Sequence, residues 1–273
     1  MKKAILIVSF GTTYPETRQK NIAAITRQVR ALYPDALVAE AVSSTIVRNA
    51  MKKREHIDAK SPEEGLLWLK EQGATHIVVF PTHVIDGIEN YRVKRVVEEY
   101  KTDFKQITVA DALLAKSCDY TNVAKALWES LKEKVGNAPL ILMGHGTEHT
   151  ADSSYAVMEQ ALQAYAQQPV YIATVEGKRT IADVIAQMQS EDIVNVRVVV
   201  APFMLVAGDH AHNDMAGMED SFASLLKENG YLPECILRGL GEYPAVREIY
   251  LSHLQKAAGT LFADITTKNR TGI

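Results

Sequence analysis

The sequence predicts an α/β protein built as two similar doubly wound lobes, each on a parallel sheet, facing a central cleft. Three observations carry that expectation. Short apolar runs alternate with helical patterns along the chain, as when parallel strands are joined by right-handed crossovers. The runs are continuously apolar, as in strands buried on both faces. A weak internal repeat also divides the chain. Ile7-Val8-Ser9-Phe10-Gly11-Thr12 echoes Leu142-Met143-Gly144-His145-Gly146-Thr147. Residues 81–89 echo 202–210, each with Pro, five residues, Gly, one residue and a polar group. The repeat sets Phe10 opposite His145 and Glu89 opposite His210. It divides the chain near Gly136, giving lobes of residues 1–136 and 137–273, with the last helix free to pack back on the first lobe.

The elements follow in order. Residues 5–9 are a buried strand that runs into Phe10-Gly11-Thr12-Thr13, and a helix is expected over 15–32, with Ile22, Ile25, Val29 and Leu32 on one face. A strand at 37–42 leads to Ser43-Ser44-Thr45 and then a basic segment carrying Arg48, Lys52, Lys53 and Arg54. Ser61-Pro62-Glu63-Glu64 has the cap, proline and acids of a helix start, and that helix ends at Gly73. Strand 76–80 opens into Pro81-Thr82-His83; a helix to about Tyr100 and a strand at 107–110 follow. The second half repeats the alternation. Its strands are expected at 139–143, 170–175, 196–200 and near Cys235, and its helices at 120–135, 153–166, 181–188, up to about Glu228, and from Pro244 to about Ala258. The polar tail 266–273 lacks periodicity and is expected to fray.

Bulk properties narrow the function. With 273 residues, 47% hydrophobic and 23% charged, the composition is that of a globular protein with real cores. A net charge of −3 offers no global basic field, so no nucleic-acid partner is expected. Cys118 and Cys235 stand far apart in no metal-ligand spacing and read as core residues. Lys2 and Lys3 precede an apolar run too short for a signal peptide, and no run reaches membrane-spanning length, so the expected location is cytoplasmic.

The chemistry concentrates at the carboxyl ends of strands, where open α/β sheets bind ligands. Residues 201–214, APFMLVAGDHAHND, take an apolar run through Gly208 into Asp209, His210, His212 and Asp214. Imidazole beside carboxylate suits a divalent transition metal or proton movement, although Asp209 would equally cap a helix with the histidines merely following it. His145 lies between Gly144 and Gly146 directly after a buried strand, where little packing surface could bury it. Adjacent strand ends would bring Glu176, His145 and His210 to one edge, and two imidazoles with a carboxylate suit Co²⁺, Ni²⁺ or Fe²⁺. His145-Gly-Thr-Glu148-His149 matches a zinc-protease pattern, but that pattern works only on a helix. His210-Ala-His212-Asn-Asp214 comes close to a metallo-hydrolase ligand run, with Met215 where the last histidine should stand. His83 and Glu89 occupy the matching edge of the first lobe and could be structural. The Arg48 to Arg54 cluster gains a use only with a polyanionic substrate.

These motifs resemble the anaerobic sirohydrochlorin cobaltochelatases, class II chelatases related to ferrochelatase. The similarity rests on Val8-Ser9-Phe10-Gly11-Thr12, Met143-Gly144-His145-Gly146, Val175-Glu176 and the specific Met204-Leu205-Val206-Ala207-Gly208-Asp209-His210-Ala211 run with Asn213-Asp214-Met215. Gly239-Leu240-Gly241-Glu242 with Pro244-Ala245 extends it to the last helix. The resemblance implies a bilobal chelatase with a tetrapyrrole in its cleft, needing no ATP. It implies His145, Glu176 and His210 as metal residues, with His145 and His210 also catalytic, and Co²⁺ as the substrate metal, Ni²⁺ or Fe²⁺ being the alternatives. Ser9, Phe10, Gly11, Thr12, His83, Glu89 and Arg54 are the expected substrate-binding positions. The family's Gly-Asp-Glu-Tyr appears here as Gly87-Ile88-Glu89-Asn90, a departure at Ile88 and Asn90. A carrier without turnover and, further off, a metallo-hydrolase are the rival readings, and a homo-oligomer is allowed.

Overall fold

The computed structural model describes residues 1–262, and the tail expected to fray lies outside them. The first sheet holds β1 (Lys3–Ser9), β2 (Leu37–Val42), β3 (His76–Pro81) and β4 (Gln106–Val109) in the order β2-β1-β3-β4. The second holds β5 (Leu140–Gly144), β6 (Val170–Thr174), β7 (Arg197–Pro202) and β8 (Leu232–Cys235) in the order β6-β5-β7-β8. Every pairing is parallel, and the two orders are the same order one repeat apart. The central strands β1 and β5 are therefore equivalent.

Helices clothe both faces of each sheet. In the first lobe they are α1 (Pro15–Lys20), α2 (Ile22–Leu32), α3 (Thr45–Glu55), α4 (Pro62–Glu71) and α5 (Ile88–Glu99). The helix α6 (Ser117–Val135) joins the halves. In the second half come α7 (Ser153–Ala166), α8 (Ile181–Ser190), α9 (Phe222–Glu228) and α10 (Pro244–Leu261). Alternate residues of β1 go to opposite faces, as the period-two strand geometry requires. Ala4, Leu6 and Val8 pack with Leu66, Leu69, Val93 and Val97 of α4 and α5. Ile5 and Ile7 instead join a larger core that includes Leu140 and Leu142 of β5, together with α2, α6, α7 and α10. The outer face of the second sheet closes on α8 and α9 through Ile141, Met143, Val184 and Phe222. One apolar core thus runs through both halves.

Two helices cross over. Although α6 precedes Gly136, it packs along α7, where Tyr120 Oη donates to Ser154 Oγ at 3.0 Å. In turn α10 lies on β3 and β4, and the Tyr250 hydroxyl donates to the Thr82 carbonyl at 3.0 Å. Buried His253 of α10 meets buried Asp119 of α6 at 3.2 Å.

Several expected elements differ. The helix over 15–32 breaks at Asn21, which is fully buried and bonds the Thr17 carbonyl at 2.8 Å through Nδ2. Its side chain packs under the Gly239–Glu242 turn, where a Cβ on Gly241 would crowd it. The basic segment forms α3, opened by Ser44 accepting from the Val47 amide at 3.3 Å. The cap was legible in sequence, whereas its run of charges hid the helical period. The helix expected after Gly208 becomes a π-helical turn, Ala211–Met215, and α9. Gly217 closes back on the Asn213 carbonyl, and Ser221 starts α9 by exchanging bonds with Ser224. Ser61 and Glu64 do form a reciprocal capping box. Cys118 is exposed, not core, because it falls in the solvent-facing first turn of α6; Cys235 is half-buried.

Asp119 carries two loads, since its Oδ2 also accepts from the amides of Ala115 and Lys116 at 3.0 and 2.7 Å. Asp119→Ala is expected to cost about 2–3 kcal/mol of stability, combining a lost cap with an orphaned buried imidazole. Urea denaturation with an unchanged m-value would show it.

Candidate metal centre

The carboxyl edge of the second sheet carries the site. Past the ends of β5 and β6 the parallel ladder continues: the Val175 amide donates to the Gly144 carbonyl at 3.1 Å and the Glu176 amide to the His145 carbonyl at 2.7 Å. His145 and Glu176 are thereby fixed side by side, with His145 Nδ1 3.7 Å from Glu176 Oε2. His210 arrives from the segment after β7, its ring 4.8 Å from that of His145 and nearly perpendicular to it. Ligand atoms of His145, Glu176 and His210 all lie within 4.8 Å of one another.

The hydrogen-bond partners assign the tautomers. His145 Nδ1 lies 3.0 Å from the Gly146 carbonyl, which can only accept. His210 Nδ1 lies 2.7 Å from Asp214 Oδ2. Each neutral ring therefore carries its proton on Nδ1 and leaves the Nε2 lone pair for a metal. A carboxylate behind a ligating imidazole fixes the ring and raises its basicity. Asp214, read from sequence as a rival ligand, thus supports His210 from behind. Glu176 is exposed and His145 and His210 half-exposed, which leaves the donors reachable by an ion.

Glycine makes the approach of these loops feasible. Gly146 has φ +84°, and a Cβ on it would overlap the Gly177 amide; a Cβ on Gly144 would strike the Tyr155 ring. Tyr155 Oη accepts the Gly146 amide at 3.2 Å, and burial pushes that phenol up to about 12. Asp152 ties the loops together through the amides of Thr147 and Lys178.

The other expected residues are dispersed. Phe10, at the end of β1, is 41% exposed and its ring centroid lies 6.2 Å from that of His145 across the cleft. Ser9 and Thr12 are buried, and Gly11, at φ +96° against Val42, turns the chain beneath Phe10. Glu89 in the first turn of α5 pairs with Arg92 at 2.5 Å. His83 lies in the loop after β3, with neither ring nitrogen hydrogen-bonded or open to solvent, and burial pushes it down to about 4. Within the basic cluster, Arg48 is spent on the carbonyls of Val42 and Ser43, and Lys52 pairs with Asp58 at 2.9 Å. Arg54 is exposed and close enough to Tyr14 to act on its phenol. His212, the other residue of the hydrolase-like run, stacks on Tyr14 at 4.8 Å and stands outside the metal cluster. The segment 145–149 is no helix, so the zinc-protease pattern has no structural support.

Two like lobes, closed on one edge by two imidazoles and a carboxylate, define the chelatase class of α/β protein. The chain matches the family model for cobalt chelatase (CbiK) over residues 3–259 and belongs to that family. It is 33% identical to the sirohydrochlorin cobaltochelatase of Salmonella typhimurium, covering 94% of this chain and 97% of that one. It is 32% identical to the sirohydrochlorin cobaltochelatase CbiKC of Nitratidesulfovibrio vulgaris, covering 95% and 92%. Among solved structures it is similar in fold to SirB from Bacillus subtilis with Fe³⁺, at a TM-score of 0.66, 20% identity and coverage of 95% and 97%. It is also similar to CbiX, the terminal enzyme of siroheme biosynthesis in denitrifying bacteria, at 0.57, 18%, and coverage of 93% and 99%. Among the described residues no helix is long and apolar enough to cross a membrane.

Gly146→Ala would push Gly177 away and carry Glu176 with it, so Co²⁺ binding followed by the visible absorption of the bound ion should be lost, whereas Gly259→Ala, which meets open space within α10, should keep it. Burial holds His83 neutral in the folded chain down to about pH 4, whereas the unfolded chain takes up that proton near the ordinary histidine value. The unfolded state thus binds more protons between those values, and stability should fall as pH drops from about 6.5 to about 4, by up to about 3 kcal/mol. His83→Phe should flatten that part of the pH–stability curve.

Proposed function

We propose that this chain inserts Co²⁺ into sirohydrochlorin, or its less oxidised precursor, without ATP. The observation that carries the reading is the convergence of His145, Glu176 and His210 at one sheet edge, with Phe10 facing them. The family and the names of both curated relatives support the substrate. The donor set is mixed nitrogen and oxygen with open positions, which suits Co²⁺ and also accepts Ni²⁺ or Fe²⁺.

Insertion must strip water from the ion and remove the pyrrole N–H protons while the metal settles into the ring. His145 and His210, each with Nδ1 turned to an acceptor, offer Nε2 to the ion, and Glu176 adds charge that offsets its own. Once the ring nitrogens take over the metal, a freed imidazole Nε2 is a base within reach of a departing proton. Asp214 stabilises the imidazolium that would form at His210. The exposed Phe10 ring presents a flat face to the macrocycle, set by the Ser9–Thr12 turn. Exposed Arg54 would meet the carboxylates of the substrate, and the pairing of Glu89 with Arg92 would offset a negative charge that repels them.

The test is anaerobic absorbance of the protein with sirohydrochlorin and Co²⁺. Wild type should give the spectrum of the cobalt product, His145→Ala should lose at least about 100-fold in rate, and Asp214→Asn should weaken metal binding by roughly 10–100-fold. A spectral shift of bound ring with no insertion would mean a carrier. No interaction with the ring would overturn the reading.

A further inference from the structure

The three metal ligands are not held alike. The ladder fixes His145 and Glu176 to each other, but His210 ends an eight-residue excursion, 203–210, beyond the end of β7. That excursion is pinned early, where the amides of Leu240 and Gly241 donate to the carbonyls of Met204 and Leu205, each at 2.9 Å. Farther on, Ala207 and Ala211 bury their methyl groups in the second-lobe core. With the fully buried Met215 they form one apolar line in that core, which settles where the segment lies and leaves its polar side to be aimed by hydrogen bonds and ring contacts. Among the described residues, the hydrogen bonds reaching 206–212 from another element come from the first lobe: Thr17 Oγ1 donates to the Ala207 carbonyl at 3.2 Å and Tyr14 Oη to Asp209 Oδ1 at 3.4 Å. The Tyr14 ring also lies flat on His212, 4.8 Å between centroids and 7° between planes.

His212 is two positions beyond His210 at the start of a helical turn, so the two rings leave the backbone on roughly opposite sides. A grip on His212 from one side therefore sets the roll of His210 on the other. π-Helical turns recur at functional sites because the widened turn re-aims its side chains. We infer that Tyr14 is a positioning residue for the metal centre: by clasping His212 and Asp209 it aims His210 at the fixed His145–Glu176 pair, and so makes metal seating depend on the docked first lobe. The inference rests on the assignment of His145, Glu176 and His210 as the metal ligands. It gives His212 a role other than ligation.

The experiment is a Co²⁺ titration followed by the visible absorption of the bound ion, with insertion kinetics, on Tyr14→Ala, Tyr14→Phe, His212→Ala, His212→Phe and His145→Ala. Tyr14→Ala and His212→Ala should each weaken Co²⁺ about tenfold, the scale for a partner that orients a ligand. Each should raise KM for Co²⁺ while leaving KM for the tetrapyrrole near wild type. Their double variant should be little worse than either, since both cut one clasp. His212→Phe restores a flat ring and should recover affinity, and Tyr14→Phe, which keeps the stack should Tyr14→Ala not fold, should lose less than Tyr14→Ala. Unchanged Co²⁺ affinity in Tyr14→Ala and His212→Ala beside its loss in His145→Ala would overturn the clasp and leave the site standing. Unchanged affinity in His145→Ala would instead overturn the site. A rise in tetrapyrrole KM confined to the Tyr14 variants would make Tyr14 a substrate contact and refute the positioning role.

Discussion

The site depends on one backbone contact, the amide of Glu176 on the carbonyl of His145 at 2.7 Å. Parallel strands ordinarily diverge once their ladder ends, and two side chains beyond it would be placed by flexible loops. Here the ladder of β5 and β6 runs past both strands, and the loops leave it in contact, Gly146 against Gly177. The approach is closer than any side chain allows, so the glycines are the condition for it. An imidazole and a carboxylate are then aimed by sheet geometry, which is the stiffest element the fold has. Asp152 and Tyr155 hold the two loops from the side and accept from their amides.

The shared core does for the lobes what that contact does for the loops. If each half had an independent core, the cleft would be an interface between domains and free to open widely. Instead α6 packs along α7 and α10 returns to β3 and β4, so apolar burial in each half includes residues from the other. Large rotation of one half against the other would expose that core. What remains adjustable is the cleft edge, where the contacts are polar or aromatic: Tyr14 with His212, Thr17 with Ala207, Phe10 near His145.

Much of this was legible in the chain. Continuous apolar runs marked the strands, and the helix starting at Ser61 was written in its cap and proline. His145 between two glycines after a strand announced a residue that could not be core. The convergence of Glu176 with His145 followed from parallel topology, because neighbouring strand ends must lie at one edge. Less could be read where long-range packing decides. Asn21 breaks a helix because the Gly239–Glu242 turn presses on it, and nothing within residues 15–32 reports that turn. His210 and His212 are alike in sequence, both beside Ala211, and only the placement of Tyr14 and Asp214 separates a ring that joins His145 and Glu176 from one stacked away from them. The charges of 48–54 looked equivalent, yet Arg48 is consumed by the carbonyls of Val42 and Ser43 ahead of α3, and exposed Lys52 pairs with Asp58 beyond its end. A count of cations along a chain is no measure of the charge available to a ligand.

The repeat explains why the candidate donors sit to one side. The two sheets have the same strand order, so each ligand position has a counterpart in the first lobe. His145 corresponds to Phe10, both directly after the central strand. Glu176 corresponds to Ser44, since the Ser43 amide bonds the Ser9 carbonyl as the Val175 amide bonds that of Gly144. Ser44 is spent capping α3. His210 corresponds to Glu89, which is spent on Arg92. The first lobe thus repeats the scaffold while replacing every donor by an aromatic ring or by a group already satisfied. A symmetric pair of donor edges would hold an ion between them and compete with a macrocycle for it. One donor edge facing an aromatic edge leaves the opposite side of the ion open, and a planar ring of four nitrogens needs that side.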